Sequence, residues 1–168
     1  MRSTLIFVAT LALAACSGTP TNPATNGGGA TSISHAATES RIDTALGHGG
    51  SELSATLTGA AERPGPGDPD GTGSARITVN SGQGEVCFHL EVSGVDPITA
   101  AHIHVGSPAV AGPIVVPLNP PPTGGSSTGC VAADEELIRQ IRNNPEAYYV
   151  NVHNAPFPAG ALRGQLSH

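Results

Sequence analysis

The rest of the chain is organised around the stretch Ala100-Ala101-His102-Ile103-His104-Val105-Gly106. Successive side chains of a β-strand point to opposite faces, so His102 and His104 share one face of a predicted strand. Ile103 and Val105 share the other face and supply the apolar side. Two imidazoles on one wall of a β-sheet can form a recognition site or a metal site.

A second stretch, Tyr148-Tyr149-Val150-Asn151-Val152-His153-Asn154, alternates in the same way. Its polar face carries Tyr149, Asn151 and His153. If the two strands are neighbours, this face brings three histidines and an asparagine together. The two stretches therefore predict one shared site on the wall of a sheet.

The remaining residues predict a small all-β domain. Alternation of apolar and polar residues predicts further short strands, which are separated by turns rich in Gly and Pro. Residues 119–129 are predicted to form a long loop. One helix is predicted from Glu135 to Asn143, with Asp134 as its N-cap and Pro145 as its stop. The predicted strands occupy residues 52–59, 74–79, 85–92, 100–106, 113–118, 148–153 and 161–166.

The first residues resemble a bacterial lipoprotein signal, which ends here in Leu13-Ala14-Ala15-Cys16-Ser17. The resemblance implies a signal peptide over 1–16, with Cys16 lipidated and becoming the mature N-terminus. Ordinary secretory cleavage near the same place is the alternative, and it would leave a free protein in the same compartment. Both place the protein outside the cytoplasm, in the periplasm, on the outer membrane or at the cell surface. Ser17 after the cysteine resembles lipoproteins sorted to an outer membrane.

Residues 17–50 are predicted to form a flexible tether, because their Gly, Ser, Thr and Pro content cannot bury enough apolar surface to fold. The folded domain is accordingly expected over 51–168. The chain has a net charge of -6 and contains no lysine, so it has no basic cluster. This balance excludes nucleic acid as a partner, and membrane contact is expected only through the lipid anchor.

Two cysteines remain in the predicted domain, Cys87 and Cys130. In an oxidising compartment a disulfide between them is the default expectation, and two buried free thiols are the alternative. Cys87 lies on the polar face of its predicted strand. We therefore expect the bridge to pin a loop over the sheet, outside the core.

Several motifs together are similar to the CHRD domain, which is named after chordin and also occurs in secreted bacterial proteins. They are Ala101-His102-Ile103-His104, Gly112-Pro113-Ile114-Val115-Val116, Tyr149-Val150-Asn151-Val152-His153 and Phe157-Pro158-Ala159-Gly160-Ala161-Leu162-Arg163-Gly164-Gln165-Leu166. The resemblance covers residues 52–166, and Val86-Cys87 and Gly129-Cys130 are similar to the cysteine pair of its bacterial members. The family has no well-established enzymatic activity, so the resemblance implies a fold more than a reaction.

The strand count and turn spacing predict a Greek-key β-sandwich or barrel with one short helix, of the Cu/Zn superoxide dismutase-like or immunoglobulin-like kind. The His-x-His strand also resembles the copper-ligand strand of Cu/Zn superoxide dismutase, by analogy alone. A dismutase needs a bridging histidine and an aspartate for a second metal, and no histidine lies between His104 and His153. This argues against a dismutase.

The candidate ligands are His102, His104 and His153, whose imidazoles suit copper or zinc. Tyr149, Asn151 and Arg163 are expected behind them, with Arg163 bridging to a carboxylate or to loop carbonyls. The alternative is that the imidazoles bond to loop backbone and to Asn151, and so anchor the 119–129 loop.

Three functions remain open. The preferred one is a lipid-anchored, non-enzymatic binding or structural module of the cell envelope with an unidentified partner. The second is a copper- or zinc-binding envelope protein, and the third is a copper oxidoreductase that uses the same histidines. The sequence identifies no catalytic residue, no nucleophile elbow and no paired carboxylates, so we expect no enzymatic activity.

Overall fold

The structure, a computed structural model, describes residues 50–95, 97–119 and 125–168. The predicted signal peptide and nearly all of the predicted tether lie outside these residues. Within the described part of the chain, no helix has the length and apolar character needed to cross a membrane.

Eight antiparallel strands form one sheet that curls into a nearly closed barrel, and one short helix accompanies it. The predicted all-β barrel with a single helix is thereby confirmed. The strands lie in the order β5-β4-β7-β8-β1-β2-β3-β6. They are β1 (Ser51–Thr58), β2 (Thr72–Asn80), β3 (Glu85–Ser93), β4 (Ile98–Val105), β5 (Ile114–Leu118), β6 (Gly125–Ala132), β7 (Tyr148–Asn154) and β8 (Leu162–Gln165).

The strand order is that of a Greek key. The two edge strands, β5 and β6, lie close to each other across the open seam of the barrel. Strands β4, β5 and β6 therefore follow one another around the wall, and β7 returns to pair with the far side of β4. This return places two strands side by side whose histidines are about fifty residues apart in the chain.

The core of the barrel consists of the apolar side chains that point inward at alternate positions of the strands. Ile103 of β4 and Val150 and Val152 of β7 are fully buried on this inner face. The helix α1 (Glu135–Asn143) adds Ile138 and Ile141, which are also fully buried. Its N-cap is Asp134, as predicted, whose carboxylate accepts hydrogen bonds from the backbone N–H groups of Glu136 and Leu137.

The prediction of a loop over 119–129 is wrong for its second half. Residues Gly125–Ala132 form β6, which pairs along its whole length with β3. The strand carries no apolar alternation because Gly, Ser and Thr fill most of its positions. Gly129 lies opposite Phe88, and a Cβ at Gly129 would lie 2.8 Å from Cζ of that ring. The phenyl ring therefore occupies the space that a side chain on β6 would need.

The disulfide between Cys87 and Cys130 is confirmed, but its predicted setting is wrong. The two cysteines lie directly opposite each other in the paired strands β3 and β6. The bridge therefore joins two strands of the sheet and pins no loop. Cys87 is fully buried although its neighbours in the alternation are polar.

Candidate functional site

The two histidine stretches lie side by side as the antiparallel pair β4 and β7. The register places His102 opposite Asn151, His104 opposite Tyr149, and Ala100 opposite His153. All of these side chains alternate with core residues and so belong to the outer face of the barrel. We call His102, His104 and His153 the histidine cluster.

The three imidazoles lie within the reach of one ion. One ring nitrogen from each histidine lies within 4.8 Å of the other two. Nδ1 of His102 is 3.2 Å from Nε2 of His153. The ring centroid of His102 lies 5.5 Å from that of His104 and 5.1 Å from that of His153, and each pair of rings is arranged edge to face. The cluster can thus offer three nitrogen lone pairs to a common point.

One ring nitrogen of His104 makes a hydrogen bond, and the other has no hydrogen-bond partner among the described residues. Its Nδ1 lies 2.8 Å from the carbonyl oxygen of Gly112. Because a carbonyl oxygen can only accept a hydrogen bond, Nδ1 carries the proton and donates the hydrogen bond. The lone pair therefore belongs to Nε2, which is buried and has no hydrogen-bond partner among the described residues. The residue is 8% exposed. A buried acceptor without a partner costs free energy, which a cation at this position would recover.

His153 is fixed in the same way. Its Nδ1 donates to the carbonyl oxygen of Pro158 at 3.1 Å, so its lone pair is on Nε2. In the absence of an ion, that lone pair accepts a hydrogen bond from the N–H group of His102 Nδ1. An ion at the cluster would replace this contact, with the His102 proton moving to the other nitrogen of its own ring. Metal-ligating histidines commonly hold the second nitrogen on a backbone carbonyl in this manner.

Burial keeps His102 and His104 in the ligand form. Desolvation, together with the neighbouring His153 and His104, lowers the pKa of His102 to about 4. Desolvation also lowers the pKa of His104, against the opposing effect of its hydrogen bond to Gly112. Both rings are therefore neutral at neutral pH, and neutral imidazole is the form that binds metal.

Tyr149 supports His104 from β7. The two rings are stacked with centroids 4.9 Å apart. The tyrosine hydroxyl accepts a hydrogen bond of 2.9 Å from the backbone N–H of Gly112, whose carbonyl oxygen holds His104. The same residue thus fixes both the plane of the His104 ring and the loop that determines its tautomer.

Arg163 lies on β8, which pairs with β7 on the side away from β4. Its guanidinium carbon is 3.5 Å from the centre of the tyrosine ring, and the residue is 1% exposed. The guanidinium donates to the carbonyl oxygens of Val110 at 2.9 Å and Ser107 at 2.7 Å. Of the two kinds of partner expected for Arg163, the structure shows loop carbonyls.

Sequence reasoning missed Glu62, a carboxylate behind the cluster that is 4% exposed. It accepts hydrogen bonds from the side-chain amide of Asn151 and from the backbone N–H of Arg63. Gly160 closes over it, since a Cβ there would collide with the Glu62 carboxylate. Glu62 follows β1 in a turn region without strand periodicity, so no pattern in the sequence signalled it.

The alternative interpretation, in which the imidazoles anchor the 119–129 loop, is only partly correct. Two of the imidazoles do bond to loop carbonyls, but these carbonyls belong to other loops. His104 binds Gly112 in the loop before β5, and His153 binds Pro158 in the turn before β8. Neither carbonyl belongs to residues 119–129, and Asn151 donates to Glu62. Each backbone bond uses only one nitrogen of its ring, so loop anchoring leaves the other nitrogens available.

Comparison with known proteins gives one match. The family model of the CHRD domain matches residues 53–166, which span the barrel from β1 to the end of β8 and include the whole histidine cluster. No curated protein and no solved structure matches the chain.

Proposed function

The chain belongs to the CHRD domain family, and from this premise we propose that it is a binding module of the cell envelope whose ligand is one copper or zinc ion. The ion is held by the imidazoles of His102, His104 and His153. The proposal combines the two leading functions that the sequence left open, because a metal is the partner that best fits the geometry.

One observation carries this proposal. The lone pair of His104 Nε2 is buried and has no hydrogen-bond partner among the described residues, and one ring nitrogen of His104 lies within 4.8 Å of ring nitrogens from His102 and His153. Imidazole nitrogens are the usual ligands of zinc and copper, and three of them from two strands can surround one ion. A protein partner of unspecified chemistry leaves this atom without a role, whereas a cation gives it one.

We propose no reaction for the site. A copper oxidoreductase would use the same three histidines, and it needs a redox substrate for which the described residues give no separate support. Copper-loaded protein should therefore turn over superoxide no faster than the same amount of free copper. A higher rate would favour the oxidoreductase instead.

Metal analysis tests the proposal. The purified full chain, dialysed against Cu²⁺ or Zn²⁺, should retain one equivalent of metal, and the double variant His102→Ala/His104→Ala should retain almost none. The matched control is His89→Ala/His168→Ala, which removes two histidines outside the cluster and should still bind one equivalent. Absence of uptake by the wild type, or equal uptake by both variants, would leave only a module with an unidentified partner.

We also propose that lipidated Cys16 anchors the module to a membrane. The support is the sequence around that cysteine and the extracytoplasmic setting in which the CHRD domain is placed. The wild type should sediment with membranes and require detergent for release, while Cys16→Ser should be recovered in the soluble extracytoplasmic fraction. A wild type that is already soluble there would support secretory cleavage instead.

A further inference from the structure

We infer that the ion at the histidine cluster keeps one coordination position open to solvent, where it holds an exchangeable water molecule or small anion. This inference rests on the proposed function, and it assigns the class of ligand that the bound ion would accept. It distinguishes a site for exchange or capture from a closed structural site.

The number of donors favours an open position. Structural zinc sites have four protein ligands, whereas sites that bind external ligands have three and a free position. In residues 50–95, 97–119 and 125–168, the histidine cluster brings together three histidines and no fourth His, Cys, Asp or Glu side chain. The fourth position is therefore available to a ligand from solvent.

The oxygen atoms of Tyr149 and Glu62, two polar side chains near the cluster, already have hydrogen-bond partners. The Tyr149 hydroxyl accepts from Gly112, and both oxygens of Glu62 accept hydrogen bonds, one from Arg63 and one from Asn151. Either side chain would have to give up a buried hydrogen bond in order to become a ligand, which costs free energy. Neither is therefore a good fourth ligand.

The exposure of the three histidines indicates the side on which the site is open. His104 is buried at 8% exposure, whereas His102 and His153 are partly exposed on the outer face of the barrel. An ion bound by all three has the protein wall on its His104 side and solvent on the opposite side. A ligand can therefore reach it without any movement of the barrel.

A second unpartnered acceptor indicates what kind of ligand belongs there. Oδ1 of Asn151 is buried and has no hydrogen-bond partner among the described residues, and Asn151 lies directly opposite His102 on the neighbouring strand. A hydrated cation suits both unpartnered acceptors, since the ion satisfies His104 and a bound water offers its proton to an acceptor such as Asn151. Three neutral imidazoles also leave the charge of the ion uncompensated, which favours a small anion in exchange for the water.

Azide is a suitable probe, because it is a small anion and gives a charge-transfer band when it binds Cu²⁺. The full chain is loaded with one equivalent of Cu²⁺ and titrated with sodium azide, with sodium chloride matched for ionic strength. We expect one saturable charge-transfer band, a shift of the copper paramagnetic resonance spectrum, and full retention of the copper. An unchanged spectrum in excess azide, or release of the copper to the solution, would overturn the inference.

Two further arms separate the causes of failure. If the wild type takes up no copper, the proposed function itself fails, and this is seen before azide is added. The variant His35→Ala/His48→Ala removes the histidines of the predicted tether. A wild type that ignores azide, together with a variant that binds it, would show that a tether imidazole fills the fourth position, which also overturns the inference.

Discussion

At the level of single residues, His104 is the central residue of the proposed site, because its two ring nitrogens have different roles. Nδ1 donates to Gly112 and fixes the tautomer, while Nε2 is buried with its lone pair unused. Strand alternation predicted that His102 and His104 share a face and that His153 belongs to the same kind of face. It could not predict the carbonyls of Gly112 and Pro158, because loop geometry has no periodic signal.

The change His104→Ala should weaken Zn²⁺ binding on the order of 100-fold or more, since loss of a partner behind a ligand already costs 10–100-fold. Isothermal titration calorimetry measures this loss. His89→Ala removes a strand histidine outside the cluster and should leave the affinity unchanged. Similar affinities for the two variants would contradict the assignment of His104 as a ligand.

The pKa of His102 predicts how stability depends on pH. Its folded-state pKa is about 4, whereas the unfolded value is 6.5. Between these values the unfolded chain binds a proton that the folded chain rejects, so the free energy of unfolding should fall as the pH falls from 6.5 toward 4. His104 acts in the same direction.

Urea denaturation of the metal-free protein at a series of pH values measures this effect. His102→Gln keeps a polar side chain without the titration, so it should lose less unfolding free energy than the wild type between pH 6.5 and 4. Carboxylates titrate in both proteins and cancel in the comparison. Parallel curves for the two proteins would argue against a neutral, desolvated His102.

At the scale of elements, the loop between β4 and β5 is held to the histidine cluster by side chains of β8. Arg163 binds the carbonyls of Ser107 and Val110, and Gln165 donates to the carbonyl of Gly106 at 2.6 Å. The loop in turn carries Gly112, which holds His104. The Arg-Gly-Gln segment is therefore a clamp for the loop that orients His104.

The variant Arg163→Lys should lower the affinity for Zn²⁺ about 10-fold or more, because lysine cannot make the two-pronged contact with the loop. Its test is the same calorimetric titration. Arg139→Lys alters an exposed ion pair on α1 and should change neither affinity nor stability appreciably. An affinity for Arg163→Lys equal to that of this control would show that the loop orients His104 without the clamp.

Strand β6 shows where sequence reasoning fails at this scale. Its Gly, Ser and Thr residues carry no alternation, and it is a strand because β3 offers it a full ladder and a phenyl ring over Gly129. Both causes are tertiary, so the segment on its own resembles a loop. The pairing of Cys130 in this strand is nonetheless predicted correctly, because the expected oxidising compartment and the presence of only two cysteines in the domain are sufficient to predict it.

Replacing both cysteines, Cys87→Ser/Cys130→Ser, should lower the free energy of unfolding by about 4 kcal/mol, from the chain entropy of a loop of 43 residues. Urea denaturation under oxidising conditions gives the difference. Metal uptake should persist, because β3 and β6 carry none of the three ligands. A variant as stable as the wild type would mean that the β3–β6 ladder alone holds the seam strand.

At the level of the whole molecule, the spacing of turns predicts many short strands, but it predicts neither the additional strand β6 nor the order of the strands. The pairs β4–β7 and β3–β6 join segments far apart in the chain, and no local pattern distinguishes them from other pairings. The family resemblance indicated the type of domain, which the match over residues 53–166 confirms, and the structure supplies the order of the strands. The Greek-key return of β7 is what turns two separate histidine stretches into one site.

The most direct test of the metal proposal is a crystal structure of the zinc-loaded protein with anomalous scattering measured at the zinc edge. We expect one strong anomalous peak on the outer face of β4 and β7, about 2.0–2.1 Å from a nitrogen of each of His102, His104 and His153. A zinc-loaded crystal with no peak within bonding distance of these three imidazoles would contradict the metal proposal.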